Sequence, residues 1–134
     1  MRAPRAIALA AGLVLLQAPG AIGAERTGTT AAPLLSTDGT WSARKTVRLP
    51  QGPDGTVAAL SWLVAYPAAG PVVAEICVGR RCLETDRPEV YDDRRLAGIP
   101  LGPVTLRVRT AAPDGGPRLV AGLPIRISVT LKAP

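Results

Sequence analysis

Aliphatic and polar residues alternate along two segments of the chain, Val104–Thr110 and Ile125–Lys132. In the second segment every odd position is Ile, Val or Leu, and every even position is Arg, Ser, Thr or Lys. Successive side chains of a β-strand point to opposite faces of a sheet, so a period of two is typical of a half-buried strand. Both segments are predicted to be amphipathic strands, and Ile125–Lys132 is also a candidate edge strand.

The most apolar segment of the chain after its N-terminal region is 56–66. Its period alone is compatible with a helix. Its length, its β-branched and aromatic residues and its Pro/Gly-rich flanks instead favour a buried central strand with Trp62 in the core. Segment 40–49 predicts a further strand with one polar face and an imperfect apolar face, and for its Trp41 core packing and surface contact both stay open.

The two cysteines, Cys77 and Cys82, lie in a predicted hairpin. Each is flanked by an aliphatic residue and an acid, and a turn at Gly79 would place them opposite each other, with Arg80 and Arg81 at the tip. The spacing differs from a C-x-x-C redox pair, and a two-cysteine metal site lacks histidine partners because the chain has no His. In an exported chain this pattern predicts an intramolecular disulfide, with an intermolecular bridge as the alternative.

Pro and Gly, 14 of each, are concentrated in the segments between these predicted strands. Six or seven short strands are predicted in all, and no helix candidate follows the N-terminal region. Residues 86–102 are irregular, with short edge pairing expected near Val90. This pattern predicts the all-β class, as a small antiparallel β-sandwich or barrel with one disulfide hairpin.

The N-terminal segment has the pattern of a secretory signal peptide. An apolar run at 6–16 follows two arginines, and small residues end at Ala24, so cleavage is predicted after Ala24 or Gly23. The alternative, a membrane anchor, requires about 20 apolar residues, and this run is shorter. The predicted organisation is a cleaved signal peptide at 1–24, a flexible lead-in at 25–36 and a single β domain at 37–134.

Composition limits the classes of function. Removing 24 of the 134 residues lowers the basic residues from 16 to 14 against 10 acidic ones, which leaves a net charge of +4. These charges are interspersed and aromatic residues make up 3% of the chain, so no nucleic-acid partner is expected. The chain has no histidine, so the usual hydrolase triads are absent. Asp92 and Asp93 are interpreted as part of a solvated loop. The protein is therefore predicted not to be an enzyme and to bind no metal and no cofactor.

Four segments, taken in order, resemble the FlhE family of small exported flagellar proteins, which are encoded beside the export-gate genes of Gram-negative bacteria. They are a Gly-x-Trp opening at 39–41, a Trp/Tyr-bearing strand at 59–66, a Cys-x4-Cys hairpin at 77–84 and a Gly-Gly-x-Arg-Leu turn at 114–119. An inserted charged stretch at 86–95 and a Pro/Ala/Arg-rich composition depart from the family pattern.

The resemblance implies a periplasmic β-sandwich related in shape to pilus-assembly chaperones and immunoglobulin-like domains. It also implies a flagellar accessory role, either limiting proton leakage through the export apparatus or acting like a chaperone while the rod and hook are built. The expected partners are then rod or export-gate proteins, and a homodimer is a further hypothesis. Arg80, Arg81 and Trp41 are the candidate partner-binding residues, with ordinary solvation of the arginines as the alternative.

Two other functions are compatible with the sequence. An exported β-sandwich could bind carbohydrate or an envelope protein without any link to flagella, although only four aromatic residues are available for sugar stacking. The third hypothesis is a structural pilus or rod subunit, which the lack of a predicted long assembly helix disfavours.

Overall fold

The structure, a computed structural model, describes residues 22–132. Within this range the chain forms ten strands and no helix, so no helix here is long and apolar enough to cross a membrane. The strands are β1 (Ile22–Thr30), β2 (Leu35–Ser36), β3 (Lys45–Val47), β4 (Thr56–Leu63), β5 (Val72–Val78), β6 (Arg81–Thr85), β7 (Glu89–Asp93), β8 (Val104–Thr110), β9 (Leu119–Val120) and β10 (Ile125–Lys132).

Two four-stranded antiparallel sheets make up the fold. Sheet I has the strand order β1-β10-β4-β7, and sheet II has the order β3-β8-β5-β6. A short ribbon of β2 and β9 accompanies them. Both sheets contribute to one hydrophobic cluster, so they pack face to face as a β-sandwich. The predicted all-β class with a disulfide hairpin is confirmed.

The core follows the alternation of the strands. In β8 the side chains of Val104, Leu106 and Val108 are buried, and in β10 the odd positions from Ile125 onwards are buried. The intervening polar residues point outward from each sheet. The two amphipathic strands predicted from period two are therefore confirmed, and they supply the facing centres of the two sheets.

The apolar segment 56–66 forms β4 and the residues that follow it. Trp62 is buried, and its indole Nε1 donates a hydrogen bond to the carbonyl of Arg87 at 3.1 Å. Tyr66 is also buried, its hydroxyl donates to the carbonyl of Pro33 at 2.6 Å, and burial raises the pKa of the phenol. Both aromatic residues thus keep a hydrogen-bond partner inside the core, as their polar atoms require.

The prediction of a flexible lead-in at 25–36 is wrong. β1 pairs with β10 in continuous register from Glu25 to Thr30, and β2 pairs with β9. Between residues 24 and 30 the buried positions of β1 are Arg26 and Gly28, so this part of the strand lacks the aliphatic alternation that identifies β8 and β10. Arg26 donates to the carbonyl of Pro53, and the absence of a side chain at Gly28 lets the backbone near Arg48 approach.

The edge position predicted for β10 is also wrong. β10 lies inside sheet I, between β1 and β4. The error follows from β1, because without β1 one side of β10 would have been unpaired. The edges of sheet I are instead β1 and β7, and those of sheet II are β3 and β6.

Two segments with weak strand patterns form short strands. The pairing expected near Val90 is confirmed as the edge strand β7, where Val90 lies opposite Trp62. The strand predicted at 40–49 is reduced to β3, and the chain before it is held by Ser42, whose amide donates to the carbonyl of Val108 at 2.8 Å.

The predicted signal peptide at 1–24 lies outside the described residues except for its last three positions. Its cleavage therefore stays a prediction. Cleavage after Ala24 would leave the register of β1 intact from the pair Glu25 and Thr130 onwards.

Candidate functional site

The disulfide hairpin joins β5 to β6. A two-residue connection at Gly79 and Arg80 closes it, and Gly79 has a φ of 59°. A glycine at the first central position of such a loop is typical of a type II′ turn, which matches the twist of paired strands. Cys77 lies directly opposite Cys82, with a Cα–Cα distance of 4.0 Å, and the two form a disulfide. The predicted disulfide is confirmed.

The sulfurs are therefore unavailable as metal ligands, although Glu75 lies close to both.

Arg80 and Arg81 are exposed at the tip of this hairpin. Within residues 22–132 neither forms an ion pair. The tip itself is fixed, because the amide of Gly79 donates to the carbonyl of Pro103 at 2.8 Å and Gly102 packs against the Gly79 backbone. Two free cations are thus presented on a well-positioned turn.

A cluster of charged residues occupies the outer face of sheet II. Glu75 of β5 accepts bonds from Arg44 at 2.8 Å and from Nε of Arg107 at 2.9 Å. Its side chain is only 15% exposed. The hydrogen bond from Arg44 has the largest effect on the Glu75 carboxyl and lowers its pKa, against an opposing effect of burial and with further lowering by Arg107.

Trp41 covers the other end of this cluster. Its ring lies 4.3 Å from the guanidinium carbon of Arg107 and 5.0 Å from that of Arg109, both within the range of a cation–π contact. The hydrogen bond of Ser42 to Val108 fixes the backbone beside the indole. Of the two positions left open for Trp41, the structure shows the outer face of sheet II, where the ring is half-buried.

The turn before Trp41 is fixed by Asp38. Its carboxylate accepts a bond from the amide of Thr40 at 3.0 Å and another from the hydroxyl of Ser36 at 2.7 Å. The Thr40 amide and then the Ser36 hydroxyl lower the pKa of Asp38. The approach of the chain to Trp41 is therefore set locally, by an Asp and a Gly of the kind typical of turns.

We call this surface the arginine–tryptophan face, and it consists of Trp41, Arg44, Glu75, Arg107 and Arg109. Trp41, Arg80 and Arg81 are the candidate partner-binding residues predicted from the sequence, and Trp41 lies apart from the hairpin tip on the same sheet. Along β8 the separation is on the order of 10–15 Å at the usual strand rise. The two features therefore form neighbouring contact points.

Three arginines of this face were missed as site residues. The alternation of Val104–Thr110 did place Arg107 and Arg109 on a polar face. Nothing in the sequence brings Arg44 and Trp41 to them, because that contact joins segments more than 60 residues apart.

The electrostatics of the face favour an anionic partner. With the hairpin tip it carries five arginines against Glu75 and Glu84, a large share of the +4 found in residues 25–134. Guanidinium groups bind carboxylates in a planar, bidentate geometry, and a half-buried indole adds a rigid apolar contact. The arrangement is suited to docking an acidic surface.

No protein-family description matches the chain, and no curated protein matches it. A solved structure does: the one titled "Crystal Structure of FLHE" superposes with a TM-score of 0.68 at 16% sequence identity. The match covers 81% of this chain and 96% of that chain. The fold of this chain is therefore that of the FlhE structure, in agreement with the resemblance found in the sequence.

Proposed function

We propose that this protein is an exported flagellar accessory protein of the FlhE type. In this role it would act as a binding module beside the flagellar export apparatus and limit proton leakage while the rod and hook are built. The alternative within the same proposal is a chaperone-like action on rod or hook subunits.

The observation that carries the proposal is the agreement between ordered motifs and the shared fold. The Gly-x-Trp opening lies just before β3, the Trp/Tyr-bearing segment lies along β4, the Cys-x4-Cys segment forms the β5–β6 hairpin, and the Gly-Gly turn precedes β9. Four short motifs in the same order on the same fold support descent from a common protein more strongly than fold alone, because one fold can serve many functions.

Binding, rather than catalysis, is the activity that the residues support. The described surface offers fixed cations and an indole on the arginine–tryptophan face, and the chain contains no histidine for acid–base chemistry near pH 7. An acidic segment of a rod or export-gate protein is the partner that this face would recognise.

Deletion of the gene tests the proton-seal role. Cytoplasmic pH is followed with a ratiometric fluorescent protein while flagella assemble. We expect acidification in the deletion strain, and we expect none in a matched strain that also lacks the export gate. Normal pH together with normal motility would contradict the flagellar proposal. Acidification that persists without the gate would contradict a seal at that position.

Site-specific crosslinking tests the proposed docking face. A photo-reactive amino acid is placed at Trp41 or at Arg80, and at Tyr91 on the opposite sheet as the matched control. We expect adducts with a flagellar protein from the first two positions and none from the third. Equal adducts from all three positions would refute a partner specific to this face.

Localisation in the periplasm belongs to the same proposal. We expect the protein in the osmotic-shock fraction, with a mass that corresponds to loss of residues 1–24. Full-length protein retained in the cytoplasm would count against export.

A further inference from the structure

A shallow furrow runs across the outer face of sheet I. The centre of its floor is made of four outward residues of β10 and β4 that have short side chains, most of them hydroxylated. The residues of the floor are Ala59, Ser61, Ser128 and Thr130. The furrow contains two successive clefts of about 400 and 640 Å³ along these strands.

The floor presents hydrogen-bonding groups close together. The hydroxyls of Thr27 on β1 and Ser128 on β10 lie 2.7 Å apart and share one hydrogen bond. Ser61 pairs with Ser128 across β4 and β10, and its Oγ accepts from the amide of Asp92 at 3.2 Å. Each hydroxyl has one donor and two acceptor positions, so this row retains capacity for a ligand.

Tyr91 forms one wall of the furrow. It is 71% exposed, the largest exposed fraction among the large hydrophobic side chains of the described residues. Its hydroxyl donates to a Glu89 carboxylate oxygen at 2.7 Å, which holds the side chain along the edge strand β7. Glu25 and Arg126 line the same cleft. The flat ring of Tyr91 therefore stands beside a polar floor.

We propose that this furrow binds an oligosaccharide strand. A sugar ring offers an apolar face of C–H groups, which suits the exposed ring of Tyr91, and a rim of hydroxyls, which suits the floor and the flanking carboxylates and guanidinium. From Arg126 to Lys132 the furrow follows β10 for about 20 Å at the usual strand rise. That length accommodates several linked sugars.

Charge and polarity distinguish this occupant from a peptide. The first cleft carries Glu25 and Arg126, and the second carries Asp92 with Arg94 and Lys132, so the furrow has a smaller excess of cations than the arginine–tryptophan face and hairpin tip of sheet II. Its floor lacks the large apolar pockets that anchor peptide side chains. The proposal is independent of the flagellar role, because it concerns the opposite face of the sandwich.

Titration by nuclear magnetic resonance tests the proposal, with cellotetraose and chitotetraose as the probes. We expect amide shifts at the floor residues and at Tyr91, and none on the arginine–tryptophan face. Shifts confined to the Trp41 side, or no shifts from either probe at millimolar concentration, would overturn it.

Three variants sharpen the test. Tyr91→Ala is expected to weaken binding several-fold to about tenfold, while Tyr91→Phe keeps the ring and most of the affinity. Ser128→Gln fills the floor from an outward position and is expected to abolish binding with the fold intact. Leu119→Ala, which removes an exposed side chain outside the furrow, is the matched control. Unchanged affinity in both Tyr91→Ala and Ser128→Gln would refute the site.

Discussion

The two outer faces of this sandwich arise from the same alternation and yet differ in character. On sheet II the outward side chains are long and charged, and they form ion pairs and cation–π contacts around Glu75 and Trp41. On sheet I the centre of the face carries short hydroxyls, flanked by Glu25, Arg126 and one exposed ring, Tyr91. Period two decides which residues face outward, whereas side-chain length and charge decide what kind of surface they form.

This difference predicts different responses to salt. At an ionic strength of about 0.15 M the Debye length is about 8 Å, so exposed charges on sheet II are screened as salt rises. Hydrogen bonding and ring stacking on sheet I depend far less on ionic strength. If each face binds the ligand proposed for it, binding on sheet II should weaken as salt rises and binding on sheet I should change little.

The largest expected effect comes from the core that both faces share. Leu106→Ala removes a fully buried side chain of β8 and is expected to lower the free energy of unfolding by about 2–5 kcal/mol. Urea unfolding followed by tryptophan fluorescence measures it. Because both sheets pack against this core, we expect the two sheets to unfold in a single transition. Unfolding of sheet II alone would show that the two sheets are independent.

Removal of the disulfide should affect sheet II and spare sheet I. The Cys77→Ala/Cys82→Ala variant is expected to lose about 2 kcal/mol, since the closed loop is short. Hydrogen exchange should increase in β5 and β6 and stay unchanged in β1 and β10. Equal loss of protection in both sheets would contradict a local role for the disulfide.

Protonation of Glu75 should weaken sheet II at acid pH. Its pKa is lowered in the folded state, chiefly by Arg44, so its contribution is present above the unfolded pKa of about 4.5 and is lost as pH falls through the folded value. Because the pair lies at the surface, the contribution is about 1 kcal/mol or less.

Glu75→Gln should remove this pH dependence, measured by urea unfolding between about pH 6 and pH 3. Glu84→Gln, on the neighbouring strand, is the matched control. If the pH dependence of the free energy of unfolding is unchanged in Glu75→Gln, other carboxyl groups are responsible for it.

The smallest effect is expected on the stability of sheet I. Ser128→Ala removes one exposed hydroxyl pair and should change the free energy of unfolding by less than about 0.5 kcal/mol. Trp41→Ala on sheet II should cost about 0.5–1 kcal/mol through its arginine contacts. Thermal unfolding of the two variants, measured in parallel, compares their losses of stability. A larger loss in Ser128→Ala than in Trp41→Ala would contradict the prediction.

Much of the fold could be predicted because local rules agree with it. The alternation in β8 and β10, the apolar run of β4 and the glycine of the hairpin each express a requirement of one segment. β1 could not be predicted in this way, because it buries Arg26 and Gly28 and is held by pairing with β10. The position of β10 inside the sheet depended on that missing strand.

The candidate site was only partly predictable for the same reason. Arg107 and Arg109 could be placed outward from their own strand. Their contact with Trp41 depends on how a distant segment crosses the sheet, which local patterns do not encode. Tyr91 is one of the four aromatic residues of the chain, but its position beside the hydroxyl floor depends on the pairing of β7 with β4.

The pairing of β1 with β10 also constrains when the protein can fold. The two strands lie about 100 residues apart in sequence, and contacts of such separation close late and slow the folding of β-rich domains. A chain that is still emerging from a narrow channel lacks β10, so β1 has no partner and one side of β4 is open. Sheet I can therefore be completed only after residues 125–132 are free, so a chain crossing a membrane from its N-terminus would close this sheet only when its passage is almost complete.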